Sequence, residues 1–291
     1  MIFFATFMIM SFGISTYVRN MAWRTELSIL EDAVQKAPNA ARPLSNLSRV
    51  YYMKIGRPDI SLKMLTKALT LKKNNTYQES MVLSGIGNIY YANGYDKKAI
   101  RYYRKAHKKY PGNLTNRYKL AIASATIGNY KESKKHVNKV IQKVPDNETA
   151  ALNLKGLVLA KEKKFNQAFK AFKKCLGKSK NDKNALLNIG ALYYFSGDYR
   201  RAETFFEIAH VHHRNELFAL LWLIEVNLKT NDRQDTHKYL EKLFLMVSVK
   251  EILSLPKLLS DKNVFDKGIM KPYPSDMLIK EIAGKLKINT K

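Results

Sequence analysis

Cysteine is nearly absent, Cys175 being the single one among 291 residues. With no second thiol there is no internal disulfide framework, and with no acid-base pair beside it Cys175 reads as a small buried packing residue rather than a nucleophile. Catalytic signatures are missing as well. The chain has no phosphate-binding glycine loop, no dinucleotide glycine cluster and no Ser-His-Asp order, which points away from an enzyme. His210, His212 and His213 lie close together, but no Cys, Asp or Glu stands near them at ligand spacing, so no metal or other cofactor is expected.

Acidic residues are the other scarcity: 24 Asp and Glu face 51 Lys and Arg, a formal net charge of +27 at pH 7. The basic residues come in blocks, among them Lys97, Lys98, Arg101, Arg104, Lys105, Lys108 and Lys109. Further blocks are Lys131, Lys134, Lys135, Lys139 and Lys143, and Lys161, Lys163, Lys164, Lys170, Lys173 and Lys174. Two readings stand side by side: a solvated basic face that keeps the chain soluble, or a field that draws it to anionic lipid or another polyanion. No helix-turn-helix, zinc-knuckle or RNA-recognition signature accompanies the charge, so no sequence-specific nucleic acid is expected as a partner.

What the chain does have is a period. In Ser80 to Asn113, Gly87 and Tyr90 share one face of a first helix, Gly94 breaks it, and Ala99, Tyr103 and Ala106 recur at helical spacing along a second helix that Pro111 and Gly112 end. Gly94 and Gly128, Pro111 and Pro145, Gly156 and Gly190, and Ala168 and Ala202 each lie 34 residues apart. Small residues at these marks let two helix backbones approach, and the aromatics fill what space is left. The order Gly, Tyr, Gly, Ala, aromatic, Ala, Pro resembles the tetratricopeptide repeat (TPR). That resemblance implies an all-α fold: a right-handed helix-turn-helix solenoid of about six repeats, with an N-terminal half repeat and a C-terminal helical cap, behind one apolar N-terminal helix.

Taken in order, Met1 to Val18 carries no charged side chain and is expected to form a transmembrane helix, its roughly 27 Å of helix being close to the thickness of the hydrocarbon core. The alternative is an apolar first helix buried against the repeats. Residues 19–40 read as a juxtamembrane half repeat, 41–244 as the solenoid and 245–291 as the cap. Within the cap, Ser248 and Glu251 suggest a capping box, Pro256 a break, Lys262 to Pro274 a loop, and Asp276 to Lys287 a last helix.

A second resemblance covers about the first 50 residues. Thr16, Arg19, Asn20, Trp23, Glu26, Leu30, Asp32, Pro38, Asn39, Arg42 and Asn46-Leu47 look like the junction at which the last span of polytopic O-mannosyltransferase-like TPR membrane proteins enters their repeats. It implies the non-catalytic part of a glycosyltransferase system, since the catalytic spans and acidic loop motifs of that family are not in this sequence. Topology signals conflict. Arg19 and Arg24 after the span place the repeats in the cytoplasm by the positive-inside rule, whereas this resemblance places them outside. The expectation adopted is a single-pass membrane protein with extracytoplasmic repeats, because spans upstream of residue 1 would override the charge rule.

In the TPR family the first helices line a concave wall. Carried onto this chain, the groove positions are Arg42, Asn46, Arg49, Tyr52, Asn88, Tyr91, Tyr118, Asn153, Asn184, Asn188, Tyr194 and Trp222, with Glu225 beside the last. Asparagine offers a donor and an acceptor to a peptide backbone, and Tyr and Trp give flat contact at low entropy cost. The expected partner is therefore a protein or peptide segment lying extended in the groove. The plain alternative is a wall of middling polar residues without a ligand.

Overall fold

The computed structural model describes residues 2–71, 75–143, 148–213, 216–248, 268–270 and 282, and among these every regular element is an α-helix. The chain divides into two units, Met1–Ala123 and Ser124–Lys291. The first holds α1 (Ile2–Ala22), α2 (Glu26–Lys36), α3 (Ala41–Met53), α4 (Pro58–Thr70), α5 (Thr76–Ala92), α6 (Asp96–Lys109) and most of α7 (Leu114–Thr126). The second holds the end of α7 with α8 (Tyr130–Lys143), α9 (Glu148–Lys161), α10 (Phe165–Lys178), α11 (Lys183–Phe195), α12 (Tyr199–His212), α13 (Leu217–Thr230) and α14 (Arg233–Met246). The all-α class of paired helices read from the sequence is what the structure has.

Helix boundaries follow from local chemistry. Asn75 caps α5, its carboxamide accepting from Gln78 N at 2.8 Å while the Gln78 side chain accepts from Asn75 N. That reciprocal cap starts α5 at Thr76, one turn ahead of the Ser80 read from the period. Pro58 opens α4, where its missing N–H costs no hydrogen bond. The turns between paired helices each need a residue at positive φ: Gly94, Gly128 and Gly197 supply it, and Lys163 and Asn231 take the same conformation, both at φ 60°. Lys163 does so without glycine's freedom, at a cost of about 1–2 kcal/mol.

The hairpins close by laying a ring on bare backbone. A Cβ built on Gly87 would stand 2.6 Å from Tyr103 Cε1, and one on Gly190 2.5 Å from Phe206 Cε1; Gly156 faces Phe172 in the same way. Ala99, Ala168 and Ala202 are fully buried beside these contacts. In the first unit, Ala41, Leu44, Leu65, Ala68, Val82, Ile86 and Ile89 form one cluster, and Ala99, Ile100, Tyr103, Leu120 and Ala123 another. In the second unit, α9, α11 and α13 lie side by side, and α13 is buried from Phe218 through Asn227.

The membrane span expected over residues 1–18 finds no support. Residues 2–22 are helical, but among the described residues no helix is long and apolar enough to cross a membrane. Ser11, Gly13, Ser15 and Thr16 interrupt the apolar run, and Arg19 and Asn20 close it. Burial against the repeats does not account for α1 either, since Phe7, Met10, Phe12 and Ile14 are exposed. In the expected cap, Glu251 of the Ser248–Glu251 box and the Pro256 break lie outside the described residues, as does the last helix apart from helical Ile282.

The ring-on-glycine contact makes a direct prediction. Gly190→Val should cost about 1–3 kcal/mol by overpacking, measured by chemical denaturation. Phe206→Leu in the same chain should return part of that loss, and strict additivity of the two changes would show that the contact is not what separates the helices.

Candidate functional site in the second unit

The inner wall of the second unit is built from neighbouring register positions on successive first helices. Asn153 on α9 and Asn188 on α11 are 35 residues apart, and Trp222 on α13 follows 34 further on. Asp182 sets this register for α11, its carboxylate accepting from Ala185 N at 2.8 Å. A 2.6 Å ion pair between Lys183 and Glu216 ties the start of α11 to the start of α13.

Asn188 Nδ2 donates to Asn153 Oδ1 at 2.8 Å, so two carboxamides that would each be costly if buried alone satisfy one another. Their remaining capacity meets the chain's own segment Gly268–Met270. Asn188 Nδ2 also donates to Gly268 O at 2.9 Å, and Asn153 Nδ2 donates to the same oxygen. Met270 N donates to Asn188 Oδ1 at 2.6 Å, and Trp222 Nε1 donates to Met270 O at 3.1 Å. Two carbonyls and one amide of a three-residue stretch are thus read by three side chains. Ile269 and Met270 are covered, at 3% and 9% exposure.

An aromatic floor fixes Trp222. It stacks on Phe206 with ring centroids 5.1 Å apart and planes at 6°, and Tyr194 and Phe195 approach it at 5.0 and 5.9 Å. Tyr194 donates its hydroxyl to Glu225 Oε1 at 2.8 Å. Burial, reinforced by that hydrogen bond, holds the Tyr194 phenol far above the ordinary tyrosine range, so it stays a donor.

Of the residues named from the sequence, Asn153, Asn188 and Trp222 converge on one segment, Asn184 flanks it, since its Nδ2 would lie 3.1 Å from a Cβ on Gly268, and Tyr194 and Glu225 stand behind Trp222. The positions in the first unit do not gather in this way. Arg49 pairs with Glu26 at 2.5 Å, and Asn88 accepts from the Tyr103 hydroxyl at 3.0 Å. Tyr52 and Tyr91 pack against the two apolar clusters, Tyr118 is half-buried, and Arg42 and Asn46 are exposed. Sequence reasoning overlooked Lys119, which reaches Ser84 Oγ at 3.5 Å across the same 35-residue step as the asparagine pair. Burial lowers its ammonium below the usual lysine range. The spacing alone would have found it.

His210 packs edge-on against Tyr239, and the next two histidines serve the turn. His213 Nε2 lies 2.8 Å from Asn181 O and His212 Nδ1 3.3 Å from Asn181 Nδ2. Among the described residues no group of three His, Cys, Asp or Glu could hold a metal ion. The basic blocks named above are largely exposed, with Lys134 drawn to Glu162 at 2.6 Å.

Residues 80–113 and 149–181 both match the tetratricopeptide repeat. The chain carries tetratricopeptide repeats. Solved TPR-type structures resemble it in fold. YrrB, described as a TPR protein with an unusual peptide-binding site, is 20% identical, with 66% of this chain and 95% of YrrB covered at a TM-score of 0.51. PilF of Pseudomonas aeruginosa is 18% identical, with 85% and 98% covered at 0.59. PilW, a type IV pilus biogenesis factor, is 16% identical, with 76% and 96% covered at 0.60. No curated protein matches the sequence. The likeness of the first 50 residues to O-mannosyltransferase-like membrane proteins finds no counterpart in these matches.

Cys175 sits in the TPR packing, not at the groove. Its thiol is fully buried, donates toward Thr149 O at 3.4 Å and Ala171 O at 3.5 Å, and is pushed up to about 12 by burial first and by Asp182 second. At pH 8.5 it should resist iodoacetamide in the folded chain and react completely in guanidinium, as followed by intact mass. Full labelling while the helices persist would contradict this burial.

Proposed function

We propose that this protein is an interaction scaffold whose second unit captures an extended segment of a partner protein along the wall formed by Asn153, Asn188 and Trp222. The observation that carries the reading is that these side chains are arranged to hold main-chain atoms. Asn188 has both hydrogens and its carbonyl committed, one hydrogen to Asn153 and the rest to a peptide backbone. A wall that merely tolerated polar residues would not show donors and an acceptor in register with a three-residue main chain. The groove role of the first-unit positions is a weaker part of the proposal, because Arg49 and Asn88 already have partners within the repeats.

Enrichment of a random displayed peptide library on the immobilised full chain tests this. Selected peptides should lose about tenfold or more in affinity on Asn188→Ala, which removes several hydrogen bonds of roughly 0.5–1.5 kcal/mol each. Equal affinity, with the helical melting profile retained, would move the binding site elsewhere.

Membrane attachment belongs to the same reading as a separate element. The exposed Phe7, Met10, Phe12 and Ile14 give α1 an apolar surface that water does not favour, and the lysine-rich faces would add attraction to anionic lipid that weakens as salt rises. In high salt, which removes the electrostatic part, the full chain should float with phosphatidylcholine vesicles. A variant with serine at those four positions should not, and flotation of both alike would discard the role of α1.

A further inference from the structure

Resting on the peptide-capture reading above, we infer that Gly268–Met270 is an internal ligand: it occupies the second unit's groove as a partner would, and a partner enters only by displacing it. The occupant also defines what the site accepts, namely a peptide that turns at a glycine of positive φ and continues with two apolar residues.

Three observations carry this. First, the contacts are made to main-chain atoms at Gly268 and Met270, the kind of contact that any peptide of the same backbone form could reproduce. Second, the glycine is required by shape. Gly268 has φ +70°, and a Cβ there would lie 3.0 Å from Asn153 Nδ2 and 3.1 Å from Asn184 Nδ2. A side chain at this point would be strained in its own backbone and would push on Asn153, which grips the carbonyl, and on Asn184 beside it. Third, the two residues that follow are covered, so a charge at either would be buried without a partner.

The consequence is competition within one molecule. A tethered segment meets its groove at a high effective concentration, whereas an external peptide must arrive from solution. If the groove is free about 10% of the time or less, the apparent affinity of an outside peptide falls by about tenfold or more.

The test uses the full chain and a fluorescein-labelled synthetic peptide of its own sequence 264–273, VFDKGIMKPY. Wild type should bind this peptide poorly. Gly268→Val, which disfavours the seated segment and replaces no wall residue, should bind it about tenfold or more tightly, and Asn188→Ala added to that variant should abolish the gain. A peptide with valine in place of its glycine should bind none of these proteins. Met270→Pro, which deletes the amide donated to Asn188, is a second releasing variant, and circular dichroism confirms that the helices persist in both. Equal binding by wild type and the releasing variants overturns the competition, as does no binding by any of them, while library-selected peptides that still depend on Asn188 leave the capture reading intact. Binding that survives Asn188→Ala removes the groove itself and with it both readings. A wild-type dimer that Gly268→Val converts to monomer would mean that the segment comes from a second copy, and would overturn competition within one chain.

Discussion

A ring resting on helix backbone that has no side chain of its own is the contact from which the rest of this structure follows. Where Gly87, Gly156 and Gly190 face Tyr103, Phe172 and Phe206, the two helices of a hairpin come closer than any larger residue would permit. Close packing of this kind is unforgiving of a single added carbon. It also fixes which side of each first helix turns inward toward its partner, and therefore which residues are left to line the opposite wall. The groove positions are in this sense a by-product of the glycines.

The wall in the second unit shows how a stacked array can bury polar groups. An asparagine at one site alone would be a liability; on facing first helices of neighbouring repeats, one register position apart, Asn153 and Asn188 satisfy each other and still have hydrogen-bonding capacity to spare. Trp222 extends the row with a single donor, held in place by Phe206 beneath it. Repetition supplies the spacing, and substitutions within the repeat supply the chemistry.

Much of this was legible in the sequence because helical repeats are written locally. The 34-residue interval, the buried alanines and the position of Asn153, Asn188 and Trp222 on first helices all follow from spacing. Gly268 could not be read in the same way. Its partners lie 80 and 115 residues away, and in sequence it is an ordinary loop glycine with nothing nearby to mark it. Arg49 shows what periodicity does not encode: the register puts it among the groove positions, and Glu26 on the preceding half repeat pairs with it. For the apolar start the sequence offers only its lack of charge, and among the described residues no helix is long and apolar enough to cross a membrane.

The stack of Gly190, Phe206 and Trp222 has an implication beyond packing. Hairpin core and the indole that holds Met270 share one set of rings, so a segment seated against Asn153, Asn188 and Trp222 adds its own free energy to holding together three consecutive hairpins. Resistance to heat and occupancy then become two measures of one equilibrium. A guest could be detected by the firmness it lends its host, even where no signal comes from the guest itself.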